Sequence, residues 1–146
     1  MNVKSSVKNI ISEISSVMEE INENTVEEVI SEILKANKIF IVGAGRSGLV
    51  GKAFAMRLMQ IGLRVYVVGE TITPSMEEGD LLIAISNSGE TKSVCLASQI
   101  AMSIKGNIVG ITSNKNSRLA KKATKSIIID TKHRTDPNRF VQKGFH

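Results

Sequence analysis

The sequence contains no tryptophan, one tyrosine and four phenylalanines, so aromatic residues make up 3% of it. Little surface is therefore available for stacking bases, which argues against a nucleic-acid partner. Cysteine occurs once, as Cys95, so no internal disulfide can form and an oxidising compartment gains no support. Cys95 stands among Val94, Leu96 and Ala97 in a helical pattern, which reads as a buried structural thiol rather than a nucleophile. The only histidines, His133 and His146, lie in an irregular carboxyl-terminal stretch and do not read as catalytic. No apolar run approaches the ~20 residues that span a bilayer. Polar residues after Lys4 and Lys8 break any secretory-signal pattern, so the expected location is cytoplasmic.

At 146 residues and 42% hydrophobic content, the chain can bury one core. Its net charge of +5 is uneven: residues 131–146 hold Lys132, Arg134, Arg139 and Lys143 against Asp136, leaving +2 for the rest. Arg118, Lys121, Lys122 and Lys125 read as the solvated face of a short helix. A modest positive field favours a small anionic ligand.

Apolar residues at Val7, Ile11, Ile14, Met18 and Ile21 follow helical spacing in a narrow stripe, suited equally to another helix of a second copy or to this chain's own core. A second helix carries Val26, Val29, Ile30, Ile33 and Leu34, with Thr25 and Glu28 expected as its capping box. Strand-like runs follow at 39–42, 65–68, 81–85, 108–111 and 127–129. Helical segments near 49–61, 93–104 and 117–122 lie between several of them. Alternating strands and helices predict parallel βαβ units, hence an α/β three-layer sandwich with about five parallel strands. The expected organisation is a single domain: helices over 1–37, an α/β core over 38–130 and an irregular basic tail over 131–146.

Two strand-to-helix turns carry the chemistry. Ser86-Asn87-Ser88-Gly89-Glu90-Thr91 follows the apolar run Leu81–Ile85, and Gly43-Ala44-Gly45-Arg46-Ser47-Gly48 follows Lys38–Val42. A helix start presents unpaired N–H groups and the positive end of its dipole, so phosphate binds well there. Hydroxyls in the turns add donors, and Arg46 adds fixed charge. Each turn by itself also fits an ordinary capped helix start. The earlier one further satisfies the dinucleotide fingerprint G-x-G-x-x-G, with Glu70 lying 22 residues past Gly48. An NAD(P)-dependent oxidoreductase therefore competes with a phosphosugar site.

The motifs Gly43–Gly48, Phe54-Ala55-Met56-Arg57-Leu58-Met59, Gly69-Glu70-Thr71-Ile72-Thr73-Pro74 and Ser86–Thr91 together resemble the sugar-isomerase (SIS) domain family. Within it they are most similar to the 6-phospho-3-hexuloisomerases, from about Ile10 to Asp130. The resemblance implies a Rossmann-like SIS fold and interconversion of 3-hexulose 6-phosphate and fructose 6-phosphate through a cis-enediol. It also implies no cofactor, no metal, and a homodimer or homotetramer with sites near subunit contacts. It assigns substrate and phosphate binding to Gly45, Ser47, Ser86, Ser88, Gly89 and Thr91. Arg46 would stabilise enediolate charge. Glu70 and Glu90 are the carboxylates near the expected site; for both, a surface or helix-dipole role competes with catalysis, and Glu70 is the first candidate base.

After Asp130 the chain departs from that pattern. The family continues with a Pro-x-Gly-Thr-x-x-Glu segment that carries its candidate base glutamate, whereas here the chain runs Thr131-Lys132-His133-Arg134-Thr135-Asp136-Pro137. Truncation, a frameshift and a divergent ending all fit. A noncatalytic phosphosugar-binding or regulatory SIS domain therefore stands as the alternative function.

Overall fold

The computed structural model describes residues 2–130; the expected basic tail and both histidines lie outside the described residues. Five strands form one sheet in the order β2-β1-β3-β4-β5: β1 Ile39–Gly43, β2 Val65–Val67, β3 Leu81–Ile85, β4 Asn107–Thr112 and β5 Lys125–Ile128. Every pairing is parallel. The helices are α1 Val3–Glu19, α2 Glu23–Lys35, α3 Gly45–Gln60, α4 Lys92–Ser103 and α5 Arg118–Lys122. This is the expected α/β sandwich.

Successive side chains on a strand face opposite ways, and the near-continuous apolar strands here serve both faces. Ile39, Ile41, Leu81, Ile83 and Val109 pack with Val29 and Ile33 of α2 and Ala55 and Leu58 of α3. Phe40, Val42, Leu82, Ala84 and Ile108 pack with Val94 and Ala101 of α4 and Leu119 of α5. Fully burying one such aliphatic side chain is worth about 1.5–3 kcal/mol, so β1 and β3, buried on both faces, anchor the sheet.

The amino-terminal ends of these two strands are stapled electrostatically. Asp80, 1% exposed, accepts from the backbone N–H of Lys38 at 3.1 Å and of Glu77 at 2.8 Å. The Lys38 ammonium lies 3.4 Å from Asp80 and 3.1 Å from Glu77. Its hydrogen bond to Glu77 raises the Lys38 pKa, against the lowering effect of burial. A further ion pair, Lys125 to Glu28 at 2.7 Å, ties the β5 edge to α2.

Two local expectations change, and one left open is narrowed. Helix α2 begins at Glu23 with Asn22 as its cap, because Asn22 Oδ1 accepts from Thr25 N at 3.1 Å; Thr25 sits inside the first turn, and Glu28 faces Lys125. Helix α3 starts four residues before Leu49, since the glycines that disguise its first turn are part of it. Helix α1 buries none of its residues, leaving Val7, Ile11, Ile14 and Met18 about half exposed, so its stripe does not pack on this chain's own core.

Candidate active site

Strand order fixes the location of the site. From β1 the chain crosses to β2 on one side and then returns past β1 to β3 on the other. The crevice outside the carboxyl ends of β1 and β3 is therefore a topological switch point, where ligands bind in open α/β sheets. Gly43 pairs with Ile85 in register, so the two turns singled out in the sequence leave the sheet side by side. The order β2-β1-β3 also places the third strand on the far side of β1 from β2, unlike the 3-2-1 half of a dinucleotide-binding fold.

The glycines of the first turn have a packing reason that needs no dinucleotide. A Cβ on Gly43 would lie 2.9 Å from Gly48 N, and one on Gly48 would lie 2.8 Å from Gly43 O. Gly51, one turn later, lets α3 settle on Ile41 and Ile85. Gly45 takes φ +55°, which L side chains rarely adopt.

The helix starts differ in a way that matters. Asn2, Asn22 and Ser117 cap α1, α2 and α5 with their side chains. Helices α3 and α4, the two at the switch point, have no side-chain cap. The N–H groups of Gly45, Arg46 and Ser47 on α3, and of Lys92 and Ser93 on α4, find no acceptor among the described residues. Two dipole ends with unclaimed donors thus converge on one crevice.

Within the second turn the hydroxyls divide their work. Ser86, 2% exposed, places its Oγ 2.7 Å from Thr91 Oγ1 and accepts from Gly89 N at 3.0 Å. Ser88 is exposed, and its Oγ accepts from Glu90 N at 3.1 Å. Ser47 is partly exposed and Arg46 exposed at the mouth of the first turn.

The two carboxylates are both engaged. Glu70, past the end of β2, pairs through Oε1 with Lys52 of α3 at 2.9 Å, and both side chains are about half exposed. Glu90 turns to α5: Oε1 accepts from Arg118 N at 3.0 Å, and Oε2 lies 3.2 Å from Arg118 Nε. No group of three or more His, Cys, Asp or Glu among the described residues is placed to hold a metal ion. No helix among them is long and apolar enough to cross a membrane. A shallow concavity at the α1–α2 elbow, lined by Met18, Ile21 and Val26 with Glu23 and Glu27, contains no strand-end residue, and its acids oppose an anion.

The sequence gives no warning of the buttress behind the second turn. Asn87 O accepts from Ser113 N at 3.0 Å, Ser113 Oγ at 2.6 Å and Thr112 Oγ1 at 3.2 Å, while Gly89 O accepts from Leu119 N at 3.0 Å. Gly89, at φ +69°, lies so close to Ser117 that any Cβ would collide with its side chain. A polar run after β4 was the one available signal, and it is no different from an ordinary loop.

Known proteins resemble this chain in sequence and in fold. Methanocaldococcus jannaschii 3-hexulose-6-phosphate isomerase is 53% identical over 89 residues, covering 61% of this chain and 49% of that protein. The Bacillus subtilis 3-hexulose-6-phosphate isomerase is 41% identical over 117 residues, covering 80% of this chain and 63% of the relative. The chain thus spans 49% and 63% of these two relatives, less than two thirds of either. The crystal structure of a Methanococcus jannaschii protein, from which a molecular function of 3-hexulose-6-phosphate isomerase was inferred, superposes with a TM-score of 0.72 at 45% identity, over 74% of this chain and 60% of that one. The SIS domain model matches residues 32–142, a stretch that takes in the sheet and both turns of the crevice. On that match, the chain belongs to the SIS domain family.

Proposed function

We propose that this protein is a phosphosugar isomerase that interconverts 3-hexulose 6-phosphate and fructose 6-phosphate. One observation carries the reading: the only two uncapped helix starts among the described residues, α3 and α4, converge on the switch-point crevice. Their donors suit a phosphate dianion, and the names of the relatives supply the sugar.

In this reading the phosphate rests on the Ser86–Thr91 turn. Ser88 and the α4 start donate to it, Gly89 permits close approach, and Ser86 and Thr91 hold the turn's shape. Gly45 and Ser47 hold the sugar from the α3 side. A base takes the proton from C2, alpha to the C3 ketone, and O3 collects negative charge as the enediolate forms. The proton returns from the base to C3, and the O2 hydroxyl proton passes to O3, which leaves a C3 hydroxyl and O2 as the new carbonyl oxygen. Arg46 stabilises the enediolate charge. Glu70 is the proposed base, since it uses one oxygen on a half-exposed lysine, whereas Glu90 commits both oxygens to Arg118. A shift of carbonyl position between neighbouring carbons needs no net redox change, so no nicotinamide is called for.

The exposed stripe of α1 supports a homodimer or homotetramer, because several half-exposed aliphatic side chains on one helix favour a partner helix. Action on a phosphorylated metabolite supports a cytoplasmic location. The test is a coupled assay that reads fructose 6-phosphate formed from 3-hexulose 6-phosphate. Turnover that falls at least tenfold in Glu70→Gln supports the assignment. Tight fructose 6-phosphate binding with no turnover would instead favour a noncatalytic sensor.

A further inference from the structure

We propose that Glu90 is a positioning residue: by clasping Arg118 it fixes the Ser86–Thr91 turn in its phosphate-binding shape. This rests on the sugar-phosphate reading of that turn. Glu90 stands inside the turn, yet its carboxylate reaches sideways to the next strand's helix, accepting from Arg118 N at 3.0 Å and meeting Arg118 Nε at 3.2 Å. The main chain repeats the connection one residue away, through Leu119 N to Gly89 O. At the other end of the turn, Ser113 and Thr112 hold Asn87 O.

Peptide planarity converts these contacts into an orientation. In a trans peptide the C=O and N–H point in opposite directions. Asn87 O is pulled toward the β4–α5 segment, so Ser88 N–H, in the same peptide, points away from it. Gly89 O is pulled the same way, so Glu90 N–H also points away, toward Ser88 Oγ, which accepts it at 3.1 Å. The segment behind the turn thus decides which way its donors face. Glu90 is the one side chain of the turn that closes this contact from the front. The pair is well exposed, with Glu90 at 45% and Arg118 at 72%, so its loss should be felt locally rather than in global stability.

The contact is asymmetric, because half of it is made by the Arg118 backbone. Glu90→Ala removes both bonds, Arg118→Ala removes one, and Glu90→Gln keeps an oxygen for Arg118 N. Amide exchange of Gly89 and Glu90, followed by NMR in the free protein, should accelerate about tenfold in Glu90→Ala and less in Arg118→Ala and Glu90→Gln, each of which keeps the bond from Arg118 N. Fructose 6-phosphate affinity should weaken in the same order, about tenfold for Glu90→Ala, with little change in melting temperature. Unchanged exchange in Glu90→Ala overturns the clasp, whatever the binding does. So does a larger affinity loss in Arg118→Ala than in Glu90→Ala, which would make Arg118 a direct phosphate ligand. If the exchange order holds but the parent protein does not bind fructose 6-phosphate, the sugar-phosphate reading falls and the clasp stands as a device of the fold.

Discussion

Ser86 Oγ and Thr91 Oγ1 lie 2.7 Å apart, joining the two ends of the turn that follows β3. Ser86 Oγ also accepts from Gly89 N, so its hydroxyl is engaged on both sides and sealed from solvent. Ser88, two residues on, keeps its side chain exposed. Two serines of one motif thus have different physical work.

That division predicts a split between two alanine variants. Ser86→Ala should lower stability by about 1–3 kcal/mol, because Thr91 and Gly89 N lose a buried partner. Ser88→Ala should leave the melting curve nearly unmoved and weaken fructose 6-phosphate binding by about 1.5–3 kcal/mol, the value of a hydrogen bond to a charged oxygen. Calorimetric titration beside chemical unfolding separates the two. Identical behaviour of both variants would refute the division.

Gly89→Ala should be more damaging than either. The new methyl meets the Ser117 side chain, and φ +69° is unfavourable for alanine. Such strain typically costs about 1–3 kcal/mol, and here relief requires the turn to move off α5. Loss of fructose 6-phosphate binding with a lowered denaturation midpoint is the expected result.

Ligand rescue should discriminate between chemistries. Fructose 6-phosphate at a hundred times its Kd adds about 2.7 kcal/mol of stability by mass action, whereas NAD should add none. Thermal melts in the presence of each compound make the comparison. A rise with NAD alone would return the turn after β1 to dinucleotide duty and Glu70 to a ribose.

The Asp80 staple is a stability device remote from the crevice. Asp80→Ala leaves two backbone N–H groups without their acceptor and takes one of the two carboxylate partners from the Lys38 ammonium; it should cost about 2–4 kcal/mol, read from urea unfolding. Its partner Lys38 adds a pH signature. The folded-state pKa of Lys38 lies above 10.5, raised first by its bond to Glu77, so its stabilisation is complete below that value and is lost as pH climbs through the folded pKa. The stability gap between the parent and Lys38→Met should therefore be constant at neutral pH and close in strongly alkaline buffer.

Helix α1 offers a direct test of assembly. A double substitution, Ile11→Glu with Ile14→Glu, places charge in the exposed stripe without touching the sheet core. Light scattering should show a smaller particle than the parent, with far-ultraviolet dichroism little changed. A parent that is already monomeric at micromolar concentration would sink the oligomer proposal.

Local chemistry made much of this protein legible before any coordinates. Apolar runs such as Leu81–Ile85 read as buried strands, and their alternation with helical periods predicts a parallel sheet. Glycine and serine at two strand ends announced where backbone donors would be found, because glycine allows tight approach and a serine or threonine hydroxyl lies one carbon from the main chain. What sequence could not decide are the matters settled by neighbours distant along the chain. Whether Ser86 binds or braces depends on where Thr91 and Gly89 N come to rest. Whether Glu90 faces the crevice or α5 depends on Arg118, 28 residues away, and Gly89 is irreplaceable because of Ser117 rather than its own turn alone. The fingerprint glycines fit a dinucleotide loop as well as a phosphosugar one, and the packing of Gly43 against Gly48 is seen only in the folded chain. Hydrophobic periodicity is a property of each segment and survives in the sequence; the direction of a polar side chain is set by partners that only the folded chain assembles.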